Sequence, residues 1–246
     1  MQKGFKAGSR SRDADSLRTA MGREGCPVCT VVLESIERYM DTWQYEGFTD
    51  VEQRHQLIVS RGFCPLHTWQ LAQRHNALQL ALVYREVLTD LLADLEADQK
   101  KLRTARDRKS ERDSPWSNWR RRGSTAKTLP AGQTCPLCRV RADAEQRLLE
   151  TLLEQLQVEE VRALLSQSTG LCLLHFNQAR SLAESRKPEL LPYLLDCQRS
   201  CMQRVLGEVQ ELIRKHDYRF AKELQGNEMT SWRRAAELCA GNPGVR

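Results

Sequence analysis

One order of metal-ligand residues occurs twice in this chain, and it constrains the fold more than any other feature. The first set is Cys26-Pro27-Val28-Cys29 and, after 34 intervening residues, Cys64-Pro65-Leu66-His67. The second is Cys135-Pro136-Leu137-Cys138 and, after 33, Cys172-Leu173-Leu174-His175. Each half-set places two soft or borderline donors three positions apart, so that one short turn can offer both to a single cation. Three thiolates and one imidazole complete a closed tetrahedral shell, which suits zinc. Buried thiols that merely fill a core would not use six of nine cysteines and two of five histidines in the same order twice.

The spacing leaves two closures open. Each quartet can form within its own copy of the motif, or the pairs can exchange, with Cys26 and Cys29 meeting Cys172 and His175. It also leaves a rival cofactor, because iron–sulfur clusters are held by cysteine thiolates with histidine in some centres. That alternative would make the chain a redox or sensor protein. Thiol–disulfide exchange fits less well, since Cys-Pro-x-Cys redox sites follow a strand in a βαβ setting and no strand pattern precedes these pairs.

Charge is unevenly distributed. The chain carries +6, yet between Lys100 and Lys127 eleven Lys or Arg stand against three Asp or Glu, a local excess of eight that leaves the remainder slightly acidic. In this segment Trp116 and Trp119 stand beside Arg120, Arg121 and Arg122. Tryptophan is costly to leave in water, whereas stacking on bases or insertion at a lipid headgroup boundary would use it together with the arginines. The expected partner is nucleic acid, with anionic membrane as the alternative, and binding of either kind should weaken with salt. No apolar run has the length of a transmembrane segment, and residues 1–23 lack the apolar core of a signal peptide. Reduced, metal-ligating cysteines then point to the cytoplasm.

Helical periodicity organises the rest. Val32, Leu33, Ile36, Met40 and Trp43 form one stripe; Thr49–Ser60 forms a shorter helix that Gly62 stops just before Cys64. Beyond His67 a long leucine-rich helix, bent near His75-Asn76, is expected to be buried on more than one side, because Val83, Tyr84 and Val87 widen its apolar face. After the basic stretch the scheme restarts: Leu148, Leu149, Leu152, Leu153 and Leu156; then Val161, Leu164 and Leu165; then Gly170 before Cys172. A helix to about Ala183, another from Glu189 to about His216 and a last one at Ser231–Ala240 follow. No stretch alternates with period two between turns.

The predicted architecture is all-α: two homologous helical repeats, each with one Cys3His metal site, joined by a basic linker. The expected boundaries are a flexible N-terminal tail at 1–24, repeat 1 at 25–105, the linker at 106–133, repeat 2 at 134–218, and a C-terminal helix and tail at 219–246. Cys197 and Cys201 share one helix face and read as core thiols. Trp232-Arg233-Arg234 reads as a packing element at the start of the last helix. No P-loop, dinucleotide fingerprint, nucleophile elbow or His-Glu-x-x-His is present, and the carboxylates are scattered. The chain is therefore expected not to be an enzyme but a zinc-stabilised adaptor for a macromolecular partner.

Gly62-Phe63-Cys64-Pro65-Leu66-His67, with Cys-Pro-x-Cys upstream, resembles an uncharacterised metal-binding family of bacterial and archaeal proteins. Its members pair a CPLC-type motif with a GFCxxH-type one, separated by a helical insert and followed by a leucine-rich helix. The resemblance covers residues 25–100 and 134–216 and extends to Ser231-Trp232-x-Arg234-Ala235; Leu173 stands where the motif has proline. It implies a prokaryotic, cytoplasmic metal-binding protein and supplies no activity.

Overall fold

Proline marks the helix starts that matter. The computed structural model describes residues 3–74, 76–110, 135–220 and 222–245, and among these it contains helices and turns but no strand. Helix α1 is Lys3–Met21, α2 Pro27–Thr42, α3 Val51–Val59, α4 Pro65–Ala72 and α5 Ala77–Ser110. Helix α6 is Pro136–Gln155, α7 Glu159–Gln167, α8 Leu173–Arg186, α9 Leu191–Lys215 and α10 Ser231–Ala240. Pro27, Pro65 and Pro136 each occupy the first helical position, where the missing N–H has no intrahelical partner to lose. A π-helical turn, Trp43–Gly47, continues α2.

The chain divides into two compact units, Met1–Arg38 with Val140–Arg246, and Tyr39–Arg139. In the first, α1 packs on α7, while α7, α8 and α10 pack on α9. Its core holds Leu17, Val28, Val32, Ile36, Leu148, Leu152, Leu156, Leu165, Leu194 and Leu238. In the second, α3 packs on α5 around Met40, Trp43, Leu57, Phe63, Leu71, Val83 and Val87. The rings of Trp43 and Phe63 meet edge to face at 5.2 Å, the arrangement that aromatic quadrupoles favour.

Four expectations need correction. The expected free tail at 1–24 is packed over residues 14–21: Ala14, Leu17, Ala20 and Met21 are buried along one face of α1. Arg18 donates to Gln155 Oε1, and Asp13 pairs with Arg147. Two of the four buried residues are alanines, so the stripe looked weaker in sequence than it is. The helix after His67 is broken, not bent, into α4 and α5. Helix α5 is also buried on one side only: Val83 and Val87 face the core, while Leu78, Leu88, Leu92, Leu95 and Leu102 each expose more than half of their surface. Finally, the compact units differ from the sequential repeats at 25–105 and 134–218, since one unit takes residues from both ends of the chain. Helix α5 continues five residues past the expected linker start at 106, and the remainder of that linker, with Trp116, Trp119, Arg120, Arg121 and Arg122, lies outside the described residues.

Candidate metal centres

All four ligand pairs use one local geometry. The cysteine that opens each pair stands just before a helix, and its carbonyl accepts the first intrahelical bond: from Thr30 at 3.1 Å for Cys26, Thr68 at 2.9 Å for Cys64, Arg139 at 3.1 Å for Cys135 and Phe176 at 2.8 Å for Cys172. Cys64 and Cys172 have extended backbone, with φ of −66° and −65°. The second ligand, Cys or His, follows three residues later in the first turn. Both donors therefore point off a helix N-terminus, where unpaired N–H groups and the positive end of the dipole favour a thiolate. Gly62 and Gly170 set the approach to Cys64 and Cys172, with φ of +93° and +90°. A side chain there would be strained, and its Cβ would meet Tyr84 or Cys201 at under 3 Å.

The pairs assemble by exchange. Cys26, Cys29, Cys172 and His175 form one quartet, and Cys64, His67, Cys135 and Cys138 form the other; within each, the four donor atoms lie within 4.8 Å of one another. The expectation of one site inside each sequential repeat is thereby corrected, although the eight ligand-type residues do gather into two Cys3His groups. Each quartet lies wholly within one compact unit.

Four of the six edges in each quartet come close to those around a single ion. A tetrahedron with metal–sulfur bonds of about 2.3 Å and metal–nitrogen bonds of about 2.0–2.1 Å has S···S edges of about 3.8 Å and S···N edges of about 3.6 Å. In the first quartet Cys29 and Cys172 Sγ are 3.7 Å apart, and His175 Nδ1 is 3.5, 3.3 and 3.3 Å from Cys26, Cys29 and Cys172. In the second, Cys64 and Cys138 Sγ are 3.6 Å apart, and His67 Nδ1 is 3.1, 3.6 and 3.5 Å from Cys64, Cys135 and Cys138. Both histidines thus turn Nδ1 toward the sulfurs. These two groups could hold metal ions.

The first quartet couples its charges strongly. Burial, reinforced by Cys172 and Cys29, pushes the Cys26 thiol well above its usual range. Cys172 is held far below the usual range by its contacts with Cys26 and Cys29, against the effect of burial. Burial alone would pull His175 down, but Cys172, Cys29 and Glu145 together push it up to about 11. In the second quartet burial pushes Cys135 up. A cation entering either group competes with protons for the same donors and releases them.

Two contributors to the first site escaped the sequence reading. Glu145 is buried, and its Oε1 lies 3.5 Å from His175 Nε2, behind the ring as seen from the sulfurs. A carboxylate there fixes which ring nitrogen is left to bind metal. Its signal was available, because Glu145 shares the apolar face of α6 with Leu148, Leu149 and Leu152, where a charge needs a reason. Gly241 is the other: with φ of +80°, it lies beside the sulfurs, where a Cβ would make ordinary contact at 3.6 Å with Sγ of both Cys29 and Cys172.

The profile of a family of unknown function, DUF6062, matches residues 16–244. The chain belongs to this family. The DUF6062 match begins inside α1 and ends beyond α10, so it takes in both quartets and the Gly241 turn. No curated protein and no solved structure matches the chain.

The remaining cysteines lie outside the quartets. Cys197 and Cys201 are buried on α9; Cys201 Sγ faces the carbonyls of Leu165, Ser166 and Ser168 at 3.6–3.9 Å. Cys239 is exposed. Arg234 binds protein rather than presenting a free cation. It donates to Glu208 at 2.9 and 2.6 Å, to Glu24 at 3.0 Å and to the Asn227 carbonyl at 2.6 Å. No described helix is long and apolar enough to cross a membrane.

Proposed function

We propose that this protein is a zinc-stabilised, non-enzymatic binding protein in which each of two metal ions staples the helices of one compact unit. The observation that carries the reading is the convergence of four donors in each quartet, with edges that match one tetrahedral ion. A polynuclear iron–sulfur cluster must fit several irons and bridging sulfides between its ligands, which donors this close together disfavour. A shell completed by protein leaves no coordination position for water or substrate, and this supports a structural role over a catalytic one.

The contact surface is the outer face of α5. Leu78, Leu88, Leu92, Leu95 and Leu102 fall on one heptad seam over about 36 Å of helix, interrupted by Arg85 and Gln99 and densest at Leu88, Leu92 and Leu95. An apolar stripe of that length suits a helix of a macromolecular partner. The basic segment 106–133, with Trp116, Trp119 and Arg120–Arg122, supplies a contact of different chemistry toward nucleic acid or anionic membrane, to be read from titrations at low and physiological salt.

Anaerobic purification followed by metal analysis and a visible spectrum tests the metal reading. The expected result is about two zinc ions per chain and no visible colour. Iron with acid-labile sulfide and broad absorption near 400 nm would replace it with the redox alternative.

A further inference from the structure

The two quartets share donors and geometry but not surroundings. From that difference we infer that Cys64, His67, Cys135 and Cys138 form an exchangeable metal site, whereas Cys26, Cys29, Cys172 and His175 form a locked one. The inference rests on the metal reading above and adds to it where metal enters and leaves.

A closed tetrahedral site loses its ion when an incoming donor reaches the metal as a thiolate departs. The rate therefore depends on whether any edge of the tetrahedron faces solvent. In the first quartet none does. Cys172 and His175 have no exposed surface, and Cys29 and Cys26 expose 2% and 4%. Gly241 lies over the Cys29–Cys172 edge, its Cβ position 3.6 Å from both sulfurs, and its positive φ favours glycine there.

That cover is fastened along its length. The Gly241 N–H donates to the Glu237 carbonyl at 2.8 Å, and the Val245 N–H to that of Asn242 at 3.0 Å. The Gly244 N–H donates to Asn242 Oδ1 at 2.9 Å, and Arg141 donates to the Val245 carbonyl at 3.3 Å. Val245 itself is buried. On the far side of His175, the buried Glu145 carboxylate lies 3.5 Å from Nε2 and backs the ring.

In the second quartet His67 and Cys135 are buried, but Cys64 and Cys138 are only half-buried. Their sulfurs are 3.6 Å apart, so the two less buried residues supply one edge of the tetrahedron. A small chelator, a thiol or a competing soft divalent cation can attack there while the buried pair keeps its hold. The site is thus built to give up and regain a borderline or soft cation without unfolding the other unit.

The experiment uses the full chain loaded with two equivalents of zinc, mixed with excess EDTA and followed by residual metal after rapid desalting. Release should occur in two phases of equal amplitude, with rates separated by at least roughly tenfold, the scale on which outer partners tune a metal site. Cys64→Ser should remove the fast phase. Gly241→Val should accelerate the slow phase and leave the fast one unchanged. Alkylation of the wild-type chain after the fast phase should label Cys64, Cys135 and Cys138 ahead of Cys26, Cys29 and Cys172, which gives a readout that needs no variant. One release phase, a fast phase that survives Cys64→Ser, or the reverse order of alkylation would overturn the assignment. Binding of fewer than two ions before EDTA is added would overturn the metal reading itself.

Discussion

Paired cysteine substitutions distinguish exchanged from local closure. Cys26→Ser with Cys172→Ser removes two donors from one quartet, whereas Cys26→Ser with Cys64→Ser removes one donor from each. The first double variant should therefore lose about one metal equivalent, no more than either single variant, and the second should lose both. A structural zinc contributes roughly 10–16 kcal/mol of apparent binding free energy. A folded domain is stable by only about 5–15 kcal/mol. Losing an ion should thus unfold its unit rather than soften it. The first variant should retain the metal and helicity of Tyr39–Arg139 while Met1–Arg38 and Val140–Arg246 lose theirs; the second should lose helicity throughout. Plasma emission analysis per chain and far-ultraviolet circular dichroism read both quantities. The opposite pattern, one ion kept by Cys26→Ser/Cys64→Ser and none by Cys26→Ser/Cys172→Ser, would refute the exchanged assembly.

Two further predictions test the packing. Leu17 exposes only 1% of its surface, so Leu17→Ala should cost about 2–5 kcal/mol in a urea titration; a change below about 0.5 kcal/mol would mean that α1 is not part of the core. Leu92→Lys with Leu95→Lys should leave metal content intact and stability within about 0.5 kcal/mol, while abolishing binding of an apolar dye; a loss above about 2 kcal/mol would show that this face is covered in the folded chain.

The ligand residues were legible because chemistry restricts them. Few arrangements other than a metal site repeat Cys-x-x-Cys and Cys-x-x-His in order, and the prolines and glycines beside them mark helix starts on their own. The last helix, Ser231–Ala240, was equally plain, bounded by Gly241-Asn242-Pro243. What sequence hid was tertiary. Leucines on both faces of α5 suggested burial all round, but periodicity reports which residues share a face and not whether that face has a neighbour. Ala14 and Ala20 bury well and look unremarkable in a polar segment. Glu145 could be seen as out of place on its helix, yet only the fold brings His175 to it.

Exchange closes each quartet across longer loops than local closure would: Cys29 meets Cys172 across 143 residues and Cys135 meets His67 across 68. Each doubling of loop length costs only about 0.6 kcal/mol, small beside the binding free energy of a structural zinc. Chain entropy thus sets no obstacle to the exchanged assembly.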